Sequence, residues 1–253
     1  MPSKLSQNSQ PYLYEINTWP WLEAISRTEG KAIDLGTVPD RYWDEIADLG
    51  FDGVWLMGVW QRSPAGIGIA LTNDDLRVSF DAALPDWTSS KPELFVAGTA
   101  DELRTDPKSF VAIDGHVLAN GRDPYFPAWP DVVQLNAFDP ALRNAVIKTL
   151  SEIAEQCDGV RCDMAMLVMN DVFARTWGDR VGSAPESDYW TTVIPAVGEA
   201  YPGFLFLAEA YWDLEWALQQ QGFNYCYDKR LYDRILQGPA EQVRLHLLAD
   251  DQY

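Results

Sequence analysis

Two short apolar runs constrain the fold of this chain more than any other feature: Phe51-Asp-Gly-Val-Trp-Leu-Met57 and Gly203-Phe-Leu-Phe-Leu-Ala208. Both are too short for typical helices, and they lack the apolar–polar alternation of a strand with one wet face. Strands of that kind are covered on both sides, as in a parallel sheet flanked by helices. A helical stretch precedes each run. Pro39 opens the first, which carries Tyr42, Ile46 and Leu49 on one face and closes at Gly50; the second runs from Ser187 to Ala200,.

The same rhythm recurs elsewhere. Tyr12 to Asn17 reads as a strand with a stop at Trp19-Pro20, and Phe223 to Tyr227 as another. Pro140 starts a helix whose apolar stripe is Leu142, Val146, Ile147, Leu150, Ile153 and Ala154, and Gly159-Val-Arg-Cys-Asp163 follows as a strand,. Leu214–Gln220 and Ala240–Ala249 read as helices. Five strands alternating with helices predict an α/β fold built on a parallel sheet, open or closed. The chain is expected to form a single domain over residues 1–253. Within it, 61–136 is a long excursion rich in Pro, Gly, Asp and Ser, with one helix around Asp74 to Leu84,.

Charge and rare residues narrow the function. With 38 acidic against 19 basic residues the formal charge is −19, which repels phosphate backbones and excludes nucleic acid as a partner,. No apolar stretch approaches the ~20 residues that span a bilayer. The polar start, Met1 to Gln10, has no apolar core of a signal peptide, so a cytoplasmic location is expected,. Cys157, Cys162 and Cys226 form no Cys-x-x-Cys pair and are expected as buried free thiols,. His116 and His246 have no ligand at helical spacing, so no metal site and no cofactor are expected; calcium is neither indicated nor ruled out. Eleven Trp and eleven Tyr suit a carbohydrate cleft, although composition does not separate stacking rings from core rings,.

Chemistry concentrates where two strands end. Asp163 closes Asp158-Gly-Val-Arg161-Cys-Asp163, and Glu209 closes Phe204-Leu-Phe-Leu-Ala-Glu209. If the strands are neighbours, two carboxyl groups at their tips stand near the ~5–5.5 Å separation of a retaining glycosidase. Arg161, two residues before Asp163, shares its face and holds that carboxyl ionised. The apolar run before Glu209 predicts apolar surroundings that would keep it protonated for acid catalysis. An Asp near an Arg is also an ordinary ion pair, and a strand-end Glu an ordinary helix cap. Together, on successive strands, they favour catalysis.

These stretches resemble motifs of the alpha-amylase family of glycoside hydrolases. Gly159-Val-Arg161-Cys-Asp163 is similar to the strand ending in the nucleophile, and Phe206-Leu-Ala-Glu209-Ala to the strand carrying the acid/base. Trp129-Pro-Asp131-Val-Val-Gln-Leu-Asn136 resembles the family segment ahead of the nucleophile strand, and Asp52-Gly-Val-Trp55-Leu an opening βα unit. The resemblance implies a (β/α)₈ TIM-barrel type of fold. It also implies retaining hydrolysis or transglycosylation of alpha-glucans or small alpha-glucosides, with Asp163 as nucleophile, Glu209 as acid/base and Arg161 orienting Asp163. Trp60, Tyr211 and Trp212 become candidate sugar platforms, and carbohydrate the expected partner; an oligomeric state is not implied.

Two family motifs have no counterpart, since neither an Asn-His nor a His-Asp dipeptide occurs. Asp81, with Pro85 and Asp86, is an off-register echo of the first. Five strands where a barrel has eight predict an incomplete barrel, with a seam near Trp87 and strands lacking after Tyr227. A catalytically impaired, carbohydrate-binding or defunct fragment is therefore the alternative function. A third reading is an unrelated α/β barrel enzyme using the same two carboxylates on another sugar linkage.

Overall fold

A computed structural model describes residues 11–59, 94–113 and 115–248. Trp60, the expected helix at Asp74–Leu84, the echo at Asp81 and the seam near Trp87 lie outside them. The chain divides into two compact units, 1–87 and 88–253.

In the first unit, β1 (Leu13–Asn17) pairs in parallel with β2 (Gly53–Met57), Ile16 standing opposite Leu56. Between them come α1 (Thr18–Glu29) and α2 (Asp40–Asp48). The strand ends at Asn17, just before the stop expected at Trp19-Pro20, and the first helix, which was not expected, begins there. Pro20 is the third helical residue, and N–H groups in a first turn have no intrahelical acceptor to lose,. Ile25, Ile33 and Val38 form this unit's small core, packed by Trp21, Leu22, Tyr42 and Trp43.

The second unit begins with α3 (Ala100–Thr105) and a three-stranded antiparallel sheet: β3 (Phe110–Ile113), β4 (His116–Gly121) and β5 (Trp129–Val133). This corrects the expectation of a loop-rich excursion up to 136. Ile113 pairs with His116 across a two-residue connection whose second member, Gly115, has φ +82°, the left-handed conformation such a turn requires,.

The parallel part follows as α4 (Pro140–Ala154), β6 (Gly159–Cys162), α5 (Asn170–Trp177), α6 (Tyr189–Ala200), β7 (Leu205–Ala208), α7 (Glu215–Gln220), β8 (Tyr225–Cys226), α8 (Lys229–Gln237) and α9 (Ala240–Leu247). Asp139 caps α4 by accepting from the N–H groups of Ala141 and Leu142, and Pro140 sits at its first position,. The strands β6, β7 and β8 run parallel in that order. Close approach of β6 to β7 depends on Gly159, because a Cβ there would lie 2.7 Å from the Leu205 carbonyl oxygen.

Pleating sends Val160, Cys162, Phe206 and Ala208 into the core with Met166, Phe173, Val193 and Leu218,. Arg161, Asp163 and Glu209 fall on the opposite side. Buried Arg143 ties α4 to its neighbours, donating to the carbonyls of Ala137 (2.9 Å) and Ser187 (2.8 Å) and to Asn170 Oδ1 (3.0 Å). The described strands make three sheets of two, three and three strands, and no closed barrel exists among them. No described helix is long and apolar enough to cross a membrane. All three cysteines are free; Cys157 is exposed, contrary to the expected burial, because it follows the last turn of α4.

Candidate active site

Three parallel strands end at one level. Cys162 pairs with Ala208 and Ala208 with Cys226, so the next residues, Asp163, Glu209 and Tyr227, stand side by side at the tips. The ladder continues past the strands: Glu209 N–H donates to the Cys162 carbonyl (3.0 Å), Ala165 N–H to the Glu209 carbonyl (3.1 Å) and Tyr227 N–H to the Ala208 carbonyl (2.9 Å).

Arg161 joins the three side chains. One terminal nitrogen bonds the Asp163 carboxylate, the other lies 3.0 Å from Glu209 Oε1, and Nε donates to the Tyr227 hydroxyl at 3.2 Å. The guanidinium carbon also lies 5.4 Å from the Tyr227 ring centroid, within cation–π range,. One guanidinium reaching both carboxylates puts them on one face of the sheet. Burial pulls Arg161 toward its neutral form. The Tyr227 hydroxyl and the two carboxylates outweigh it and hold the group above the ordinary arginine value.

The carboxylates have different surroundings. Asp163 is open, its side chain 80% exposed, whereas Glu209 is 8% exposed as a residue. Ala208 and Ala210 beside Glu209 are fully buried, as its apolar run requires. Its carboxylate nevertheless meets three donors instead of the apolar surroundings expected: Arg161, the Tyr211 hydroxyl at 2.7 Å from Oε1 and the Met164 N–H at 2.7 Å from Oε2. The Met164 contact arises because Met164 is left-handed (φ 44°), turning its amide back across the strand tips. A non-glycine residue held there costs on the order of 1–3 kcal/mol, which the surrounding bonds must offset.

Among the residues expected to stack on sugar, the Tyr211 ring packs against the core while its hydroxyl serves Glu209. Trp212 is half-buried with φ 62°, and Tyr125 meets its ring edge-on at 4.8 Å between centroids. Sequence reasoning missed Tyr227 and the Met164 amide. For Tyr227 the signal was present, since the strand-end rule applied to a third strand points to it. The histidines stand apart from this group: His116 begins β4, and His246 on α9 contacts Asp228 and Arg234. Among the described residues, no three His, Cys, Asp or Glu side chains cluster to hold a metal ion.

No family model matches the sequence, and no curated protein matches it. Among solved structures, an alpha-amylase from Lactobacillus plantarum is similar with a TM-score of 0.49 at 18% identity, over 96% of this chain and 59% of that one. An alpha-amylase from Geobacillus thermoleovorans complexed with acarbose gives 0.47 at 16% identity, over 90% and 54%. An acarbose-soaked debranching enzyme from Nostoc punctiforme gives 0.46 at 14% identity, over 88% and 54%. The chain thus spans between 54% and 59% of the length of these structures.

Proposed function

We propose that this chain carries the catalytic centre of a retaining alpha-glucoside hydrolase or transglycosylase of the alpha-amylase type, on a barrel-type fold. The substrate would be an alpha-glucan or a small alpha-glucoside. One observation carries the reading: level strand tips hold Asp163 and Glu209 on one face, bridged by the Arg161 guanidinium. A retaining glycosidase needs its two carboxyl groups about 5–5.5 Å apart, and a shared guanidinium is compatible with that spacing.

The roles are those that the family resemblance implies. Exposed Asp163, ion-paired with Arg161, attacks the anomeric carbon as the glycosidic C–O bond breaks, and a proton passes from Glu209 to the departing oxygen,. Glu209, now a carboxylate, takes a proton from water or from an acceptor hydroxyl. That oxygen displaces Asp163 from the anomeric carbon, and both residues return to their starting states. Arg161 orients the nucleophile, and Trp212 offers stacking surface for sugar rings.

The test is release of reducing sugar from maltooligosaccharides. Turnover by the unaltered chain, lost in both Asp163→Asn and Glu209→Gln, is the expected result; full activity in Asp163→Asn removes the reading. A second reading, sugar binding without turnover, is favoured by both histidines standing apart from the strand tips. Calorimetric binding of maltooligosaccharides by a chain that never cleaves them would decide for it.

A further inference from the structure

Resting on that reading, we infer that Tyr211 is a positioning residue for the acid/base Glu209 and not a platform for sugar. The two oxygens of Glu209 are fixed from different elements. Oε2 takes the Met164 amide from the turn after β6, and Oε1 takes the Tyr211 hydroxyl, each at 2.7 Å. Donors on both oxygens fix the rotation of the carboxyl plane, which decides where a proton on it points. Tyr211 is itself held, its ring packed against the core and its carbonyl accepting from Leu214 N–H at 3.3 Å. Burial, and then the neighbouring Glu209, push its hydroxyl up to about 12, so it keeps its proton at neutral pH and donates. The other charged or titratable groups near Glu209 are Arg161, Asp163 beyond the guanidinium, and Tyr227. Of the two donors other than Arg161, only the Tyr211 hydroxyl can be removed by substituting a side chain, and Tyr211→Phe leaves the ring in place.

The experiment compares kcat/KM of the unaltered chain and Tyr211→Phe on two substrates. A maltooligosaccharide has a leaving oxygen that needs a proton; alpha-glucosyl fluoride has a leaving group that needs little help. General acid catalysis is worth 10²–10⁴-fold, and loss of its orientation should remove roughly tenfold of that on the oligosaccharide. The fluoride should stay within about twofold, because nucleophilic attack by Asp163 is untouched. The ratio of the two values does not depend on how much of the variant is folded. An unchanged ratio, whether both substrates slow equally or neither does, overturns the inference while leaving the proposed function standing. An unaltered chain that turns over neither substrate overturns both.

Discussion

Replacing Arg161 with Met removes a guanidinium that serves Asp163, Glu209 and Tyr227 together, and the cost can be apportioned from the exposure of each partner. The Glu209 arm is the expensive one. The side chains of Arg161 and Glu209 are 16% and 11% exposed, and breaking a buried ion pair costs about 3–5 kcal/mol when both ends are dry,. Neither end is wholly dry, so about 2–3 kcal/mol is a fair share. The Asp163 arm faces solvent at 80% exposure and is worth about 0–1 kcal/mol,. Loss of the Tyr227 contact adds roughly 0.5–1.5 kcal/mol, and the Met side chain, by filling the stem's space, offsets part of the total. The expected loss is about 3 kcal/mol. Because the folded state raises Arg161, its side of this contribution is fully present at pH 7, well below the ordinary arginine range, and is lost as pH rises through the elevated value,. Urea unfolding at pH 7 should show a midpoint lowered by about 1 M with an unchanged slope, for a slope near 3 kcal/mol per M. Asp163→Asn, with Glu209 and Tyr227 still on the guanidinium, should cost under about 1 kcal/mol. Equal losses in the two variants, or a loss below about 1 kcal/mol in Arg161→Met, would refute the apportionment.

Two further outcomes follow from contacts in the second unit. Gly159→Ala places a methyl group 2.7 Å from the Leu205 carbonyl oxygen and should destabilise the chain by about 1–3 kcal/mol in the same urea assay, with turnover falling as the strand tips part,. A cost under about 0.5 kcal/mol would mean that β6 and β7 are not so close. Hydrogen bonds from Arg180 and then Thr99 lower Glu102 from 4.5 to about 2, so the stability this ion pair adds is present above pH 4.5 and is lost as pH falls toward 2,. Glu102→Gln should flatten the pH dependence of the unfolding midpoint within that window and leave its slope elsewhere unchanged.

Asp163 and Glu209 were legible because apolar strands flanked by helical stretches fix where a strand ends, and the chemistry of parallel sheets lies at carboxyl ends. The antiparallel sheet was hidden by the Pro and Gly content of its surroundings. Its signal was nonetheless local: Asp114-Gly115 separates Phe110-Val-Ala-Ile from His116-Val-Leu-Ala, a two-residue turn pair between apolar stretches,. The helix α1 was missed because Pro20, which does mark the end of the strand, also stands in a helix's first turn. The Met164 amide could not be read at all. Nothing in a methionine favours a left-handed backbone, and the turn exists because Met164 and Glu209, 45 residues apart in sequence, are brought together there. The polar seat of Glu209 has the same origin, being made by Arg161 on β6, the Met164 turn after it and Tyr211 beyond the end of β7.

The central claim, that Asp163 is the nucleophile beside Glu209, is met most directly by trapping the covalent intermediate. An alpha-glucosyl fluoride deactivated by a second fluorine on its ring should form a slowly hydrolysed ester, and peptide mass spectrometry should find the sugar on Asp163. Glycosylation of any other residue, or continued turnover of ordinary substrate with Asp163 unlabelled, would contradict the account.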